Sequence, residues 1–548
     1  MLALPANPMN CVSQTTTAVL PQTPPHVARV SAQATASFLL LVMLGVLAKG
    51  VGLVREMVLA AQFGASGPMD AYLVAQTLPS AVQRVFDELL GASLLPLFAG
   101  WVVAAGEAAA WARLKSLLRF LLWTSALLVL ISLPLAAPLV RALAPGLGLG
   151  ESSIAARALL ILLPGIAFGV AGSIFAALLN YHRRFVCAAL FALAGNALAL
   201  ACIFLFAGRI GIYSAAAGVT AGALLLALQW FYLPAAGRRE PPVASAVATR
   251  SEFWRLAGPL AAGIALFNLI PLVERFLSSF LPTGGIALLN YAFKVDWLAY
   301  LVLVVPITTL AFPRLADAGA AGDTQKFLGA LQLALKGALL ALLPAMIFLG
   351  IAAPAVIASL YERGSFTTVH TAGTAAILRV YLFGLPGAAA TLILFYALYA
   401  LRQPAGRVAA GVAGLFFALS FGWPAVRAWG ATGIAATHAV NYTALALLLG
   451  AYVTRSLGRD WWRPLLGFAL RAATAAAAAW FAGQQLLRLW IEAETFPRSM
   501  MELLAGAAAS AVFVLLAWLF RLQEIRDLVS LMARSADLPL STHPGGEL

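Results

Sequence analysis

The sequence predicts an all-α polytopic membrane protein with fourteen transmembrane helices. Only 10% of its 548 residues are charged and 62% are hydrophobic, whereas a soluble domain carries roughly 25% charged residues. Apolar runs recur along the whole chain and reach the roughly 18 residues that a helix needs to cross a hydrocarbon core of about 30 Å. A membrane β-barrel would instead show alternating segments of about 10 residues, so the pattern favours helices.

The predicted spans follow one another with short connections. Their boundaries, which are accurate to about three residues, lie near 36–63, 71–101, 116–142, 153–180, 185–207, 211–235, 254–281, 286–313, 327–359, 371–400, 406–423, 430–454, 464–487 and 499–520. Residues 1–33 form a Pro- and Thr-rich cytoplasmic tail. After the last span, residues 521–548 predict an amphipathic helix on the cytoplasmic membrane surface, followed by a loose tail.

The distribution of Lys and Arg over the connections sets the orientation of the spans. Connections on one side carry basic pairs, such as Arg113 with Lys115 and Arg183 with Arg184, whereas the other side carries scattered arginines such as Arg141. Because basic residues accumulate on the cytoplasmic side, both termini are predicted to be cytoplasmic. Much of the net charge of +14 therefore reflects membrane topology, and it indicates no nucleic-acid partner.

Segments of the chain repeat each other at a nearly constant spacing. The segment LVREMVLAAQFGASGPMDAY at 53–72 aligns without a gap with LVERFLSSFLPTGGIALLNY at 272–291. At the same spacing, Gly211 falls on Gly430. An even number of spans separates the copies, so they share one orientation. They form a parallel repeat, as in transporters whose two halves flank a central path.

The repeat predicts the domain organisation. An N-lobe of six spans covers 34–236, and a C-lobe of six spans covers 253–457. Residues 237–252, which carry prolines and charges, form a cytoplasmic linker between the lobes. The last two spans, within 458–520, lie outside the repeat.

Several charged residues lie inside the predicted spans, where a charge costs about 2.5–3.5 kcal/mol on insertion scales unless it faces a cavity or a partner. They concentrate on the leading pair of spans in each lobe, which places them between the lobes. Arg, with its bidentate fork, and Lys, as a point charge, suit phosphate in a dry site. We therefore assign four cations to a cavity for a phosphate-bearing substrate: Lys49, Arg55, Arg84 and Lys294. Arg55 and its neighbour Glu56 point about 100° apart on a helix and are not expected to face each other.

Other charges in the same spans have acid and base in balance, which favours salt bridges between helices. They are Glu274 and Arg275 on span seven, and Asp87 and Glu88 on span two. The histidines, among them His438, show no pairing pattern. Neither a metal site nor a proton relay is therefore predicted.

A series of short motifs surrounds the candidate cations. Span one carries a basic residue, then Gly and then an Arg-acid pair, each three positions on: Lys49, Gly52 and Arg55-Glu56. Later motifs are Asp70-Ala71-Tyr72, Gln83-Arg84-Val85-Phe86 and Tyr291-Ala292-Phe293-Lys294. Together these motifs resemble those of the MurJ/MviN family of lipid II flippases, within the multidrug/oligosaccharidyl-lipid/polysaccharide exporter superfamily. The resemblance covers the whole pattern of spans and is closest over 49–86.

The resemblance implies a fold and a site. Family members have fourteen spans, in two six-span lobes plus two further helices. By this resemblance, Lys49, Arg55, Arg84 and Lys294 line the central cavity and engage a lipid-linked diphosphate. Five further residues would support the cavity or form salt bridges: Glu56, Asp70, Gln83, Glu274 and Arg275. Gln stands where the family has Arg at 83, Lys replaces Arg at 49 and 294, and span eleven lacks the Asn and Asp side chains that bind sodium in some members.

The sequence thus favours a flippase that moves the peptidoglycan precursor lipid II across the bacterial inner membrane, from the cytoplasmic to the periplasmic leaflet, by alternating access. The alternative is a flippase for another undecaprenyl-diphosphate-linked saccharide, such as an O-antigen or exopolysaccharide unit. A drug antiporter, a glycosyltransferase and a structural scaffold fit the residues less well. No catalytic residue, metal or cofactor is predicted, and the membrane potential or an ion gradient is expected to drive the cycle. The expected partners are the lipid-linked saccharide, the bilayer and the cell-wall synthesis machinery.

Overall fold

The computed structural model describes residues 25–233, 246–401, 403, 405–458, 461–494 and 496–520. Much of the predicted N-terminal tail and linker, and the whole C-terminal amphipathic helix, lie outside these residues. The described part of the chain is helical, with one 3-10 segment at Leu228–Tyr232 and no strand. The α-helices are α1 (Pro25–Phe63), α2 (Gly67–Ser132), α3 (Ala136–Leu143), α4 (Leu149–Tyr181), α5 (Phe185–Ile210), α6 (Tyr213–Ala227), α7 (Ala246–Ser278), α8 (Gly285–Ala321), α9 (Thr324–Tyr361), α10 (Thr368–Leu382), α11 (Leu385–Ala400), α12 (Ala405–Leu457), α13 (Arg463–Glu492) and α14 (Arg498–Leu519).

The predicted spans all fall on these helices, but the two sets do not correspond one to one. α12 extends over two predicted spans and is broken at Gly430. α2, which is broken at Gly106, covers the second span and most of the third, and α3 covers the end of the third. The tenth span is divided between α10 and α11, which meet at an angle of 44°. Nine helices in the described ranges are long and apolar enough to cross a membrane, and the bent pair makes ten. The total of fourteen stays a prediction.

Two helices begin earlier than their predicted spans. α1 starts at Pro25 and α7 at Ala246. The apolar content of a sequence marks the part of a helix that crosses the hydrocarbon, so it does not detect a polar extension of that helix.

The backbone supports the repeat. Gly211, between α5 and α6, has φ 57° and ψ −138°, and its counterpart Gly430, inside α12, has φ 57° and ψ −130°. This conformation is essentially confined to glycine. The same local break therefore separates the fifth and sixth predicted spans of each half.

Helices α1–α6 pack mainly against one another, as do α7–α12, and we call these groups the N-lobe and the C-lobe. α13 and α14 pack together on α9 of the C-lobe. The lobes meet chiefly where α2 of the N-lobe contacts α7. Tyr72 and Tyr291, which correspond in the repeat, are both buried in the same hydrophobic core. The α2–α7 contact places the charged residues of α2, α7 and α8 between the lobes.

Candidate functional site

A group of three charges, centred on the buried Glu56, joins α1 to α8. Arg55 on α1 and Lys294 on α8 both contact Oε1 of Glu56, at 3.2 and 3.4 Å. Glu56 is 6% exposed, so its carboxylate depends on these cations for charge compensation. Because two cations share one carboxylate, the group keeps a net positive charge.

The contact between Arg55 and Glu56 corrects the expectation that these neighbours do not face each other. Their Cβ atoms diverge around the helix, but the guanidinium stands at the end of a long side chain and reaches the carboxylate. Nε of Arg55 is buried and has no hydrogen-bond partner in the described part of the chain. One donor of the guanidinium is therefore unused.

A cavity of about 440 Å³, which we call the polar cavity, lies between the lobes in front of Lys294. Residues from α2, α7, α8, α10 and α12 form its wall. Its lining includes three cations and two carboxylates: Arg84, Arg275, Lys294, Glu88 and Glu274. The surplus of positive charge is smaller than the sequence pattern predicts, because both carboxylates also face the cavity.

A second cavity of about 620 Å³, which we call the aromatic cavity, adjoins the polar cavity and extends into the C-lobe. The two share lining residues, among them Phe293, Trp297 and His438. Aromatic rings dominate its wall, contributed by Phe267, Phe293, Trp297, Tyr300, Phe312, Phe395, Tyr396, Tyr399 and Tyr442. The lobe interface thus offers a charged compartment next to a largely apolar one.

The four predicted cations occupy different places. Arg84 and Lys294 line the polar cavity, and Arg55 is linked to it through Glu56. Lys49 is exposed on α1, about 9 Å along the helix from Arg55 at 1.5 Å per residue, and it is not part of the cavity lining. The structure therefore brings three of the four together.

Gln83 and Asp87 form a polar contact within the N-lobe. Nε2 of Gln83 donates to Oδ1 of Asp87 at 2.8 Å and to Oγ of Ser173 on α4 at 2.9 Å. Ser173 Oγ also donates to Asp87. Within the described residues, Asp87 therefore lacks the salt bridge that the balanced charges of span two suggested, because hydroxyl and amide donors satisfy its carboxylate. An amide at 83 holds α2 against α4.

Further along α2, a polar network crosses between the lobes. Arg84 Nε donates to Oδ1 of Asn268 on α7 at 3.1 Å. Asn268 Nδ2 donates to Oε1 of Glu88 at 3.4 Å, and Glu88 forms an ion pair with Arg407 of α12. The salt bridge expected of Glu88 is present, and it joins α2 of the N-lobe to α7 and α12 of the C-lobe.

Glu274 pairs with a histidine and not with its neighbour Arg275. Nδ1 of His438 on α12 lies 2.8 Å from Oε1 of Glu274. Nε of Arg275 instead donates to Oγ1 of Thr77 on α2 at 3.0 Å. His438 thus has a carboxylate partner in the fold, although the sequence shows no pairing pattern for the histidines. No local sequence pattern predicts this pair, because the two residues are 164 positions apart and only helix packing brings them together.

Asp70 connects the lobes at one end of the bundle, which is formed by residues 64–66, 279–284 and 364–365 and which we call the turn end. Its carboxylate, on the first turn of α2, accepts hydrogen bonds from the N–H groups of Gly284 at 2.6 Å and Ala287 at 2.7 Å. These are donors that the start of α8 leaves without a partner in the helix. Asp70 is 3% exposed, so it caps a helix of the opposite lobe in a buried position.

We expect Asp70→Ala to lower the free energy of unfolding by about 2–4 kcal/mol, because two buried N–H donors lose their acceptor. Asp70→Asn keeps one acceptor oxygen and should lose roughly half as much. Thermal unfolding of the purified protein in detergent measures both effects. Asp317→Asn, at an exposed carboxylate on α8, is the control, and an Asp70→Ala variant as stable as this control would contradict the capping role.

The lobes also approach each other closely through two glycines at the turn end. The N–H of Ser365 donates to the carbonyl oxygen of Ala61 at 2.8 Å, and Tyr291 Oη donates to that of Gly64 at 3.2 Å. Gly64 and Gly364 have φ values of +56° and +57°. A Cβ on either would overlap a backbone oxygen of the opposite lobe. Only glycine allows this closure.

Comparison of sequences finds similar proteins over most of the chain. The family model described as "Lipid II flippase MurJ" matches residues 59–514. A probable lipid II flippase MurJ from Rhizobium meliloti is 27% identical over 350 residues, which cover 61% of this chain and 64% of that relative. The lipid II flippase MurJ from Burkholderia cenocepacia is 25% identical over 387 residues, 67% of this chain and 73% of the relative.

Comparison of structures finds the same fold. A structure of lipid II flippase MurJ in an inward closed conformation aligns with a TM-score of 0.73 and 21% identity, and the match covers 90% of this chain and all of that chain. An inward-facing multidrug resistance transporter of the MATE family aligns with a TM-score of 0.63 and 16% identity over 74% of this chain and 94% of that chain. At these identities, the structural matches establish the fold alone.

Proposed function

The chain belongs to the MurJ family of lipid II flippases, and on that premise we propose that it moves lipid II from the cytoplasmic to the periplasmic leaflet of the bacterial inner membrane. The observation that carries the proposal is the polar cavity between the lobes, where Arg84 and Lys294 stand beside the buried pair of Arg55 and Glu56. A lipid-linked diphosphate is an anion that suits this cavity, because Arg and Lys form charge-assisted hydrogen bonds with phosphate oxygens.

The geometry of Lys294 fits a residue that changes partner when the diphosphate binds. Its side chain is 37% exposed, and its Nζ lies 3.4 Å from Oε1 of Glu56, longer than the 2.7–2.9 Å that is typical of a strong charge-assisted contact. A phosphate oxygen in the polar cavity can therefore replace this weak contact. Arg55 would then compensate Glu56 alone, which keeps the carboxylate from repelling the ligand.

The aromatic cavity gives the remaining head group a place next to the diphosphate. Its volume of about 620 Å³ lies within the range of about 300–1,000 Å³ of small-molecule sites, which combine apolar walls with few polar groups. We propose that the saccharide part occupies this space while the lipid tail stays in the bilayer. No covalent step is needed, so the chain acts as a transporter and not as an enzyme.

Two sets of contacts between the lobes support alternating access. The first set, at the turn end, is the Asp70 cap on α8 and the approach of Gly64 and Gly364 to the opposite backbone. The second set is the network that ends in the pair of Glu88 and Arg407. From the distribution of basic residues we infer that the turn end is periplasmic, and that transport breaks the two sets in alternation.

Complementation tests this function directly. In a bacterium depleted of its own lipid II flippase, the parent chain is expected to restore growth and lipid II flipping. Arg55→Ala, expressed at the same level, should not do so. Arg488→Ala, at an exposed position on α13, is the matched control and should behave as the parent. If a well-expressed, membrane-inserted parent chain does not restore lipid II flipping, lipid II is not its cargo. Strains that lack flippases for O-antigen or exopolysaccharide units then test the alternative cargo.

A further inference from the structure

Three titratable side chains meet in the C-lobe, where the polar and aromatic cavities adjoin. His438 on α12 is 8% exposed and lies 2.8 Å from Glu274 on α7. Asp296 on α8 is 4% exposed, lines the aromatic cavity together with His438, and interacts with the imidazole electrostatically. We call these three residues the C-lobe triad. One imidazole thus stands between two carboxylates on two other helices.

Asp296 is buried, and its Oδ1 has no hydrogen-bond donor among the residues that the structure describes. A buried charge without compensation is costly, and such a group tends to become neutral. Intramembrane Asp, Glu and His side chains that face a cavity are the groups from which transporters build proton pathways.

The surroundings of His438 leave Asp296 without a hydrogen bond from a cation among the described residues. The charged and titratable groups that face it are Glu274 and Arg275 of α7, Asp296 of α8, Tyr381 of α10, Tyr442 of α12 itself and, across the polar cavity, Arg84 of α2. α11, which also packs on α12, carries no Asp, Glu, Lys, Arg or His. Because Arg275 donates to Thr77 and Arg84 to Asn268, neither guanidinium is a hydrogen-bond partner of Asp296.

Building on the proposed function, we propose that the C-lobe triad binds a proton from the cavity, that this binding is coupled to the movement of the lobes, and that a proton gradient therefore drives flipping. The proton adds to a carboxylate oxygen of Asp296, where one O–H bond forms. It returns to water on the other side of the membrane when the cavity opens there. No other bond changes, and no co-reactant is needed.

Two members of the C-lobe triad stand next to residues that touch the N-lobe, which provides the coupling. Glu274 precedes Arg275, whose guanidinium bonds Thr77 on α2 across the interface. Asp296 follows two positions after Lys294, whose ammonium contacts Glu56 on α1. A change in the charge of the triad therefore alters the electrostatic balance at both inter-lobe contacts and at the diphosphate site.

The first arm of the test follows transport. The full chain is reconstituted in vesicles, and flipping of fluorescently labelled lipid II is measured with an imposed pH gradient at zero membrane potential, and separately with a sodium gradient. One pH unit should speed flipping by up to about tenfold, because it corresponds to a tenfold change in equilibrium constant. Asp296→Asn should flip at a rate that no longer responds to the pH gradient, whereas Asp317→Asn on the same helix should respond as the parent does. Flipping that ignores the pH gradient, or that responds to sodium instead, overturns the proposal and leaves the proposed function intact.

The second arm needs no transport, so it separates failure of the proton site from failure of the proposed cargo. Infrared difference spectra between acidic and alkaline pH should be recorded for the purified parent and for Asp296→Asn, and subtracting one from the other should leave the C=O stretch of one protonated carboxylic acid, that of Asp296. If the parent moves no lipid II at all, this parent-minus-variant band decides for the proton site when it is present and against it when it is absent. His438→Gln, which keeps a hydrogen-bonding group beside Glu274, serves if Asp296→Asn does not fold, and it should shift the pH at which the band appears. An unshifted band overturns the triad.

Discussion

Replacing Lys294 with alanine is expected to reduce lipid II flipping by about 10- to 100-fold, because a hydrogen bond from a cation to a charged partner contributes about 1.5–3 kcal/mol. Without Lys294, Glu56 keeps Arg55 as its partner, so the loss reflects the missing contact with the diphosphate and not repulsion by Glu56. Arg55→Ala should cost as much, since it leaves Glu56 with the long contact to Lys294.

A conservative substitution at position 294 distinguishes the effect of the positive charge from the effect of the exact side-chain geometry. Lys294→Arg keeps the cation and should retain most of the flipping rate in vesicles. Lys326→Ala removes a lysine whose side chain is 81% exposed and paired with Asp323 on the surface of α9, and it should match the parent. Equal rates for Lys294→Ala and Lys326→Ala, at equal amounts of inserted protein, would remove Lys294 from the site.

The cations of the site could be predicted because their signal is local. A charge inside an apolar run is conspicuous in any sequence, since the membrane penalises it wherever it lies. Arg84 and Lys294 were found in this way, and both line the polar cavity. Lys49 gave the same signal but is exposed outside the cavity lining, because position within a span does not tell which face of the helix a residue occupies.

The partners of these charges could not be predicted, because they depend on packing between distant helices. Glu274 stands next to Arg275 in sequence but pairs with His438, 164 positions away. Glu88 pairs with Arg407 across 319 positions. Counting the charges along one helix therefore predicts neither of these two pairs. The prediction that Arg55 and Glu56 do not face each other is wrong for another reason. It considers only the angle between their Cβ atoms and not the length of the arginine side chain, whose guanidinium reaches the carboxylate.

The repeat, in contrast, could be predicted down to single glycines. Gly211 and Gly430 correspond in the alignment of the two halves, and both adopt a conformation that few other residues tolerate. A backbone requirement of this kind keeps the residue type in both copies, whereas side chains at other aligned positions can change with their surroundings. The glycines at the turn end carry a comparable requirement.

Gly364→Ala is expected to open the turn end. The new Cβ would overlap the carbonyl oxygen of Ala61 in the N-lobe, and the positive φ costs an L-residue about 1–2 kcal/mol. A penalty of that size on the closed arrangement shifts the ratio of closed to open molecules by roughly 5- to 30-fold. Gly64→Ala should act in the same direction, because its Cβ would meet the carbonyl oxygen of Ser365.

The population shift is measured by labelling a cysteine at position 80, which lines the polar cavity. The background is a variant in which Cys11, Cys187 and Cys202 are replaced by serine. A membrane-impermeant maleimide added to whole cells should label Ser80→Cys faster when Gly364→Ala is also present. Gly467→Ala on α13, where a Cβ meets nothing within 4 Å, is the control and should leave the labelling rate unchanged.

The glycine variants and the lysine variant are expected to impair different steps of transport, namely closure of the turn end and binding of the diphosphate. Measured together, they distinguish these two steps. Lys294→Ala removes a contact with the diphosphate but leaves the turn end closed, so it should lower flipping without faster labelling. Gly364→Ala leaves the polar cavity intact, so binding of a labelled diphosphate lipid should persist while flipping falls, since a transporter held open on one side cannot complete its cycle. If Gly364→Ala labels at the rate of Gly467→Ala, the glycine contact does not hold this end closed, and the Asp70 cap becomes the main closure of the turn end.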